Sequence, residues 1–344
     1  MTYNVVLCGC GAMAKGWLRA VQSTPDLRDA LSVVGLVDLD QNVARALADE
    51  FKLGAVVTGT DLGEVLEQTR ADIVFDVVIP AARHPVVRTA LAHGCHVLSE
   101  KPMSSSMSEA ADLIEAAKAA GKIHSVVQNR RFISGVRRMR RFVESGVIGD
   151  ITAIHCDFFI GPHFGGFREK MDNVLLLDMA IHTFDAARYV SGKQPLSVYC
   201  LETNPRGSWY AHGASANAVF QLSDDVVFTY RGSWCAEGER TSWESAWRIV
   251  GTKGMLTWDG EETFKASVAG TQDGLLRGFT PVEVLPPARE EETHGHASVI
   301  ADFLKAIRTG QPSETDGQDN IKSLAMVFGA IESARTGRSV DLAA

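Results

Sequence analysis

The chain of 344 residues has room for about two domains, and with 45% hydrophobic and 22% charged residues its composition is that of an ordinary globular protein with sizeable cores. A formal net charge of −8, with basic residues clustered only in RRFISGVRRMRR (130–141), excludes a polyanion such as nucleic acid as the natural partner. No apolar run approaches the ~18 residues needed to span a membrane, the start MTYNVVLCGCGAM lacks a basic region followed by a long apolar stretch, and six scattered cysteines without a CxxC pair suit reduced thiols in the cytoplasm.

In chain order, Tyr3 to Cys8 is a short apolar strand running into a glycine-rich turn and helix, GCGAMAKGWLRAVQ. A second strand, LSVVGLVDLD, ends at Asp38. Helical NVARALADEF follows, then DLGEVLEQ behind Thr60 and Asp61, a good N-cap pair. ADIVFDVVIP reads as one continuous apolar strand interrupted only by Asp76, and HPVVRTALAHG as a helix closed by Gly94. HVLS is the next strand, SEAADLIEAAKAAGK a helix closed by Gly121, and IHSVVQ the last strand of the series. Strands alternating with helices predict βαβ units and a buried parallel sheet, so residues 1–132 are expected to form a doubly wound α/β domain of the Rossmann type.

Residues 133–344 have a different rhythm. After a helix near 135–145 come ITAIHCDFFI, PLSVYCLET, SANAVFQLS, VVFTYRGSW, SAWRIVGT and GMLTWDG, whose period near two predicts a large, mostly antiparallel sheet in an α+β domain. One helix, about 175–191, is inserted among them. Two more, ASVIADFLKAIRTG and NIKSLAMVFGAIESARTG, close the chain, each ending in glycine and free to pack back on the first domain.

Gly9-x-Gly11-x-x-Ala14 follows the first strand and opens a helix. The first glycine permits a tight turn, the second lets backbone N–H groups approach a pyrophosphate, and the small third residue allows close helix–strand packing. Ala12 and Met13 open that helix. Asp38 ends the second strand, followed by Leu39, where an adenosine ribose would lie; a carboxylate there accepts hydrogen bonds from two hydroxyls and repels a 2′-phosphate, favouring NAD over NADP. Asp40 is expected to be a solvated turn residue. Ile79 and Pro80 at the end of the fourth strand, His84 at the next helix start, and Gln128 and Asn129 after the sixth strand lie at the sheet's carboxyl edge, where ligands of open α/β sheets bind.

NVLLLDMAIHTFDAARYV (173–190) is an apolar helix that nonetheless carries Asp178, His182 and Asp185. Spacings of four and three place all three on one face of an α-helix, and a histidine whose proton affinity is raised by an aspartate is a good general base near neutral pH. The GxGxxA turn, the Asp38 strand end, Glu100-Lys101-Pro102, the DxxxHxxD helix and the ending ADFLKAIRTGQPSETDGQDNIKSLAMVFGAIESARTGRSVDL together resemble the Gfo/Idh/MocA oxidoreductase family over essentially the whole chain. The resemblance implies an NAD(P)-dependent dehydrogenase of sugars or cyclic polyols. It further implies a homodimer or homotetramer joined through the open face of the C-terminal sheet, a cis Lys101–Pro102 peptide and a cofactor-side Glu100.

By the same resemblance Lys101, Asp178 and His182 are the catalytic residues. His182 takes the proton of a substrate hydroxyl as hydride leaves its carbon, Lys101 stabilises charge on that oxygen, and Asp178 orients His182. Lys101, Asp178, His182 and Arg130, which follows the sixth strand beside Gln128 and Asn129, are also expected to touch substrate, as are His163, Phe164 and Arg168. The last three lie in the Gly-rich loop FFIGPHFGGFREKMDN, whose aromatic faces suit sugar C–H faces. Arg130, Arg131 and Arg168 leave an acid sugar open, although Arg131 and the RRMRR arginines are expected to form a solvated helix face. A His294/His296 metal pair lacks a third ligand, so no metal is expected. The function expected is oxidation of a small aldose such as apiose or xylose to its lactone, or of a cyclic polyol. The alternatives are an NAD-dependent glycoside hydrolase or epimerase with transient oxidation, and a non-catalytic NAD-binding, sugar-responsive regulator.

Overall fold

The computed structural model describes residues 2–271, 275–288 and 295–342. In order these form β1 (Tyr3–Cys8), α1 (Ala12–Ser23), α2 (Pro25–Ala30), β2 (Leu31–Val37), α3 (Gln41–Glu50), β3 (Val57–Gly59), α4 (Leu62–Thr69), β4 (Ile73–Asp76), α5 (Pro80–Ala92), β5 (His96–Ser99), α6 (Met107–Ala120) and β6 (His124–Val126). There follow α7 (Ser134–Glu144), β7 (Ile151–Phe159), a π turn (Leu175–Ala180), α8 (Ile181–Ser191), β8 (Pro195–Thr203), β9 (Ser215–Leu222), β10 (Val227–Ser233), β11 (Ala246–Gly251), β12 (Gly254–Trp258), β13 (Phe264–Ala269), β14 (Phe279–Val282), α9 (His296–Thr309), α10 (Gly317–Thr336) and β15 (Val340–Asp341). The chain divides into two compact units. One runs to Asn129 and includes α9 and the chain up to Ile321; the other begins at Arg130 and resumes at Lys322 within α10.

The first unit is built on a six-stranded sheet of order β3-β2-β1-β4-β5-β6, parallel at every pairing. The order reverses between β1 and β4, which opens a crevice at their carboxyl ends. The strands are buried on both faces, as their near-continuous apolar runs require: Val5, Val6, Leu7, Ile73, Val74, Phe75, Val97 and Leu98 are wholly inaccessible. Helix starts follow their capping residues. Asp40 and Asp61 accept the N–H of Asn42 and Glu64, so Asp40 is a cap for α3 as well as a turn residue. The serine tract caps α6, Ser106 Oγ accepting the N–H of Glu109.

The fourth strand is shorter than its apolar run suggests. It stops at Asp76, and α5 begins at Pro80, four residues before His84. Proline at the first helical position loses no hydrogen bond, and its φ already suits the helix. The apolar run Val77-Val78-Ile79 is therefore the loop at the sheet's edge, with Ile79 as the N-cap.

The second unit carries a nine-stranded sheet of order β14-β13-β12-β11-β7-β10-β9-β8-β15, antiparallel except for the β7–β10 pair. Alternation in β8, β9 and β10 puts Val198, Cys200, Ala218, Phe220, Phe228 and Tyr230 on a buried face. Helix α8 lies in the core, buried from Ile181 to Val190, and Phe184 meets Phe220 and Tyr230 edge-on at 4.7 and 5.2 Å. The opposite residues, among them Tyr199, Leu201 and Val219, are exposed.

The basic stretch is only in part a solvated face: Arg131 is 5% exposed, and the arginines of α7 are half-exposed. Arg137 stacks on Phe132, Arg140 on Tyr189, and Arg138 on Phe264 while also donating to the carbonyl of Leu285. Guanidinium planes stack on rings more readily than they demand water, so a basic helix can bury its arginines against an aromatic surface.

Candidate active site

In the first unit the glycine turn joins β1 to α1. Gly9 has φ +94°, and a Cβ there would come within 2.7 Å of the Val77 carbonyl, so only glycine lets the turn pass the end of β4. Gly11 is the N-cap of α1 without a side-chain cap, and a Cβ built on it meets nothing within 4 Å. The first N–H groups of α1 thus face open space at the positive helix end, which suits a pyrophosphate. Ala14 is fully buried against the sheet. The half-buried Asp38 carboxylate accepts the N–H of Cys10 at 2.8 Å and of Asp40 at 3.1 Å. Two bonds leave a carboxylate acceptor capacity for ribose hydroxyls. Around this turn Met13, Leu39 and Ile79 are exposed apolar side chains.

His84 has another occupation: its Nε2 lies 2.7 Å from Asp112 Oδ2, linking α5 to α6. Gln128 is fully buried, yet neither atom of its amide has a partner among the described residues, and Asn129 Oδ1 is in the same condition. Orphaned polar groups at the carboxyl edge of β6 are what a polar ligand there would satisfy. The open helix end, the strand-end carboxylate and this buried amide together fit a nicotinamide dinucleotide.

Lys101 follows β5, half-buried, and the Lys101–Pro102 peptide is cis. Its two neighbours are anchored. Glu100, 7% exposed, accepts the indole N–H of Trp17 at 2.8 Å and lies 3.3 Å from His296 Nε2. Burial alone would raise its pKa; the hydrogen bonds from His296 and Trp17, with the charges of His296 and Lys101, outweigh that and hold it below the usual carboxylate range. Pro102 presents its carbonyl to Arg83, which also bonds the Val78 carbonyl at 2.6 Å and Asp76 at 2.8 Å. Asp76 and Arg83 are 0% and 1% exposed. Glu100 is therefore a buried, hydrogen-bonded carboxylate. His296 is the first residue of α9 and spends its ring on Glu100; its suggested partner His294 lies outside the described residues.

In the second unit the Asp178–His182–Asp185 row spans two kinds of helix. Asp178 lies in the π turn, where i→i+5 bonding adds a residue to the turn, and His182 and Asp185 in α8. The carboxylates go to different arginines. Asp178 takes Arg168 Nε at 2.7 Å; Asp185, wholly buried, takes Arg131 bidentately at 2.6 and 2.7 Å and the Ser323 hydroxyl at 2.6 Å. Asp185 thus belongs to the core. His182 is 8% exposed and lines a small cavity with Arg130, Met179, Trp243 and Glu244. Arg130 is ion-paired with Glu244.

The loop before the π turn brings Phe164 against Trp234 and Trp243, with ring centroids 5.5 and 6.4 Å apart. Arg168 lies over the Phe164 and Phe167 rings, and His163 stacks on Trp209 at 3.7 Å. Phe164 and Trp243 remain 47% and 44% exposed, enough to offer ring faces to a ligand. Nothing in the sequence marked Arg83 or Trp17 in the first unit, where His296 stood out only as half of a metal pair, or Trp209, Trp234, Trp243 and Glu244 in the second. Only Asp76 announced itself, as the one charge in an apolar run.

Fold and site define an NAD-binding oxidoreductase. Residues 3–128 match the family model described as an oxidoreductase family with an NAD-binding Rossmann fold, and residues 136–257 that of the GFO/IDH/MocA C-terminal domain. The chain belongs to the Gfo/Idh/MocA family. It is 31% identical to D-xylose dehydrogenase of Paenarthrobacter nicotinovorans, over 89% of this chain and 86% of the relative. It is 25% identical to 1,5-anhydro-D-fructose reductase of Ensifer adhaerens, over 98% and 97%. An oxidoreductase of Agrobacterium radiobacter, solved with NAD+, L-tartaric acid and magnesium, shares the fold with a TM-score of 0.86 and 20% identity, over 99% of both chains. The protein is thus an enzyme, an oxidoreductase of a family that includes sugar dehydrogenases. Among the described residues no helix is long and apolar enough to cross a membrane.

Proposed function

We propose that the protein is an NAD-dependent dehydrogenase of a neutral sugar, a small aldose of pentose type oxidised to its lactone, or of a cyclic polyol. The observation carrying the substrate class is that Arg130, Arg131 and Arg168, the arginines that could grip an acid group bidentately, are each paired with a carboxylate: Glu244, Asp185 and Asp178. A neutral hydroxylated ring meets such a surface without an uncompensated charge. The aromatic faces of Phe164 and Trp243 suit its C–H faces, and a sugar-oxidising relative supports the pentose reading.

NAD supplies the hydride acceptor when bound. Gly9, Gly11, Ala12 and Met13 receive its pyrophosphate, Asp38 and Leu39 its adenosine ribose, and Ile79, Pro80, Glu100, Gln128 and Asn129 its nicotinamide side; Asp38 disfavours the 2′-phosphate of NADP. His182 takes the proton of the reacting hydroxyl, and the Lys101 ammonium hydrogen-bonds that oxygen as charge develops on it. Asp178, held by Arg168, sets the polarity beside His182. Residues 1–132 serve the cofactor and 133–344 the substrate. The open sheet face, a concavity of about 970 Å³ lined by Tyr199, Leu201, Val219, Asp157 and Arg231, is covered by a second copy in a homodimer or homotetramer, since exposed apolar patches of this kind mark interfaces. Six free thiols suit the cytoplasm.

The test is an NADH-absorbance screen of aldoses, polyols and inositols with NAD and with NADP at mildly alkaline pH, repeated with Lys101→Ala and His182→Ala. Each variant loses turnover by ~100-fold or more while NAD affinity holds. Full turnover in either removes the role given to that residue.

A further inference from the structure

Glu244 stands in the connection between β10 and β11, with its backbone fixed on both sides. Its N–H donates to Ser242 Oγ at 3.0 Å and its carbonyl accepts the indole N–H of Trp247 at 2.7 Å. Its side chain reaches Arg130, 114 residues earlier in the chain, and each partner is 19% exposed. The pair leaves two polar atoms unused: Glu244 Oε2 and Arg130 Nε are buried with no partner among the described residues. Both residues line the cavity that also contains His182, Met179 and Trp243. That cavity has room for about 10 Å³, the size of one water or one hydroxyl group.

We propose that Glu244 and Arg130 form a charge-neutral, hydroxyl-reading subsite beside His182, which takes one hydroxyl of the substrate and excludes acid sugars. The proposal rests on the sugar reading above and adds what selects among sugars. A hydroxyl donates once and accepts twice, so a single one satisfies both the Glu244 oxygen and the Arg130 N–H. A carboxylate only accepts: it leaves Oε2 bare and sets negative charge against negative charge. Rejection by buried polar groups left unpaired is stronger than any that apolar packing supplies. Burial pulls the Arg130 guanidinium down to about 10, so it is charged at neutral pH, and removing the Glu244 charge would turn the same subsite into a carboxylate receptor.

The experiment is calorimetric titration of the NAD-saturated protein with D-xylose and with D-glucuronate, the same ring carrying a carboxylate on C5, alongside turnover of both. The wild type prefers xylose by ~10-fold or more. Glu244→Gln, which keeps size and hydrogen bonding, shifts the glucuronate-to-xylose affinity ratio by ~10-fold or more toward the acid, and adding Arg130→Gln cancels the gain. An unchanged ratio in a Glu244→Gln protein with native near-UV circular dichroism overturns the proposal, since a merely structural ion pair around a trapped water would lower stability without moving the ratio. Failure of both sugars to bind either form also overturns it. Discrimination in binding without turnover of any sugar would remove the dehydrogenase reading and leave the subsite; turnover of neutral sugars with an immovable ratio would do the reverse.

Discussion

Replacing Arg83 by leucine tests the anchoring of the Lys101–Pro102 turn. The guanidinium is 1% exposed and its partner Asp76 0%, and it also serves the carbonyls of Pro102 and Val78. Removing one partner of a buried pair costs ~3–5 kcal/mol, because the other charge stays in a medium that cannot solvate it. We expect Arg83→Leu to lose at least that amount in urea unfolding at pH 8. Asp76→Leu/Arg83→Leu should recover ~2 kcal/mol or more of it, since removing both charges of a buried pair is close to neutral and what still costs is the neutral groups left bare, the carbonyls of Pro102 and Val78 and the Val78 N–H that Asp76 accepted, at ~1–3 kcal/mol each. The pH dependence has a definite sign. Burial already raises the Asp76 pKa and the Arg83 charge opposes this; without Arg83 it rises further. A carboxyl whose native pKa lies above its unfolded one contributes stability at low pH that is lost as pH rises through the native pKa. The single variant should therefore regain stability between pH 8 and pH 5, relative to wild type, by up to ~1.4 kcal/mol per unit over the titrating range. A single variant within ~1 kcal/mol of wild type, or a double variant no more stable than the single, would refute the account, because a buried charge would then not be the dominant cost.

Asp38→Asn should weaken NAD binding ~10-fold and raise the NADP-to-NAD specificity ratio by ~10–100-fold, the worth of charge-assisted hydrogen bonds to hydroxyls plus relief of repulsion; kcat/KM with each cofactor reads it, and an unmoved ratio removes Asp38 as the discriminator. His124, 2% exposed and 3.0 Å from Ser99 Oγ, is pulled down to about 3 by burial and then by the Arg83 charge. Its native pKa lies below the unfolded one, so stability falls as pH drops from ~6.5 toward that value. Between pH 7 and pH 5 the wild type should lose ~2 kcal/mol more than His124→Gln in urea unfolding, and equal losses would show that the imidazole takes up its proton without unfolding.

Much of the architecture is legible in the chain because it is locally encoded. The alternation of apolar strands with capped helices in the first half, and the period-two strands of the second, bring every long element out where it stands. The glycine turn announces itself for the same reason: the φ of +94° at Gly9 and its close approach to Val77 are demands that only one residue type meets. The strands β3, β13, β14 and β15 do not show in the sequence: they lack a continuous apolar run and become strands only where a neighbour supplies their hydrogen bonds. The end of β4 at Asp76 depends on Arg83 waiting in the next helix.

The charges are where sequence and tertiary structure part. Sequence identifies Lys101, Asp178, His182 and the arginines as residues able to do chemistry, and the order of its motifs places the chain in its family. It does not say which arginine meets which carboxylate. Arg131 finds Asp185 across 54 residues, Arg130 finds Glu244 across 114, and Glu100 finds His296 across 196. Such pairings are set by which surfaces the fold desolvates together: a charge kept in water needs no partner, and one carried into the core must have one. The sequence alone determined the kind of enzyme; only the tertiary structure decided which of its charges are spent on holding the fold, because burial depends on which surfaces pack together.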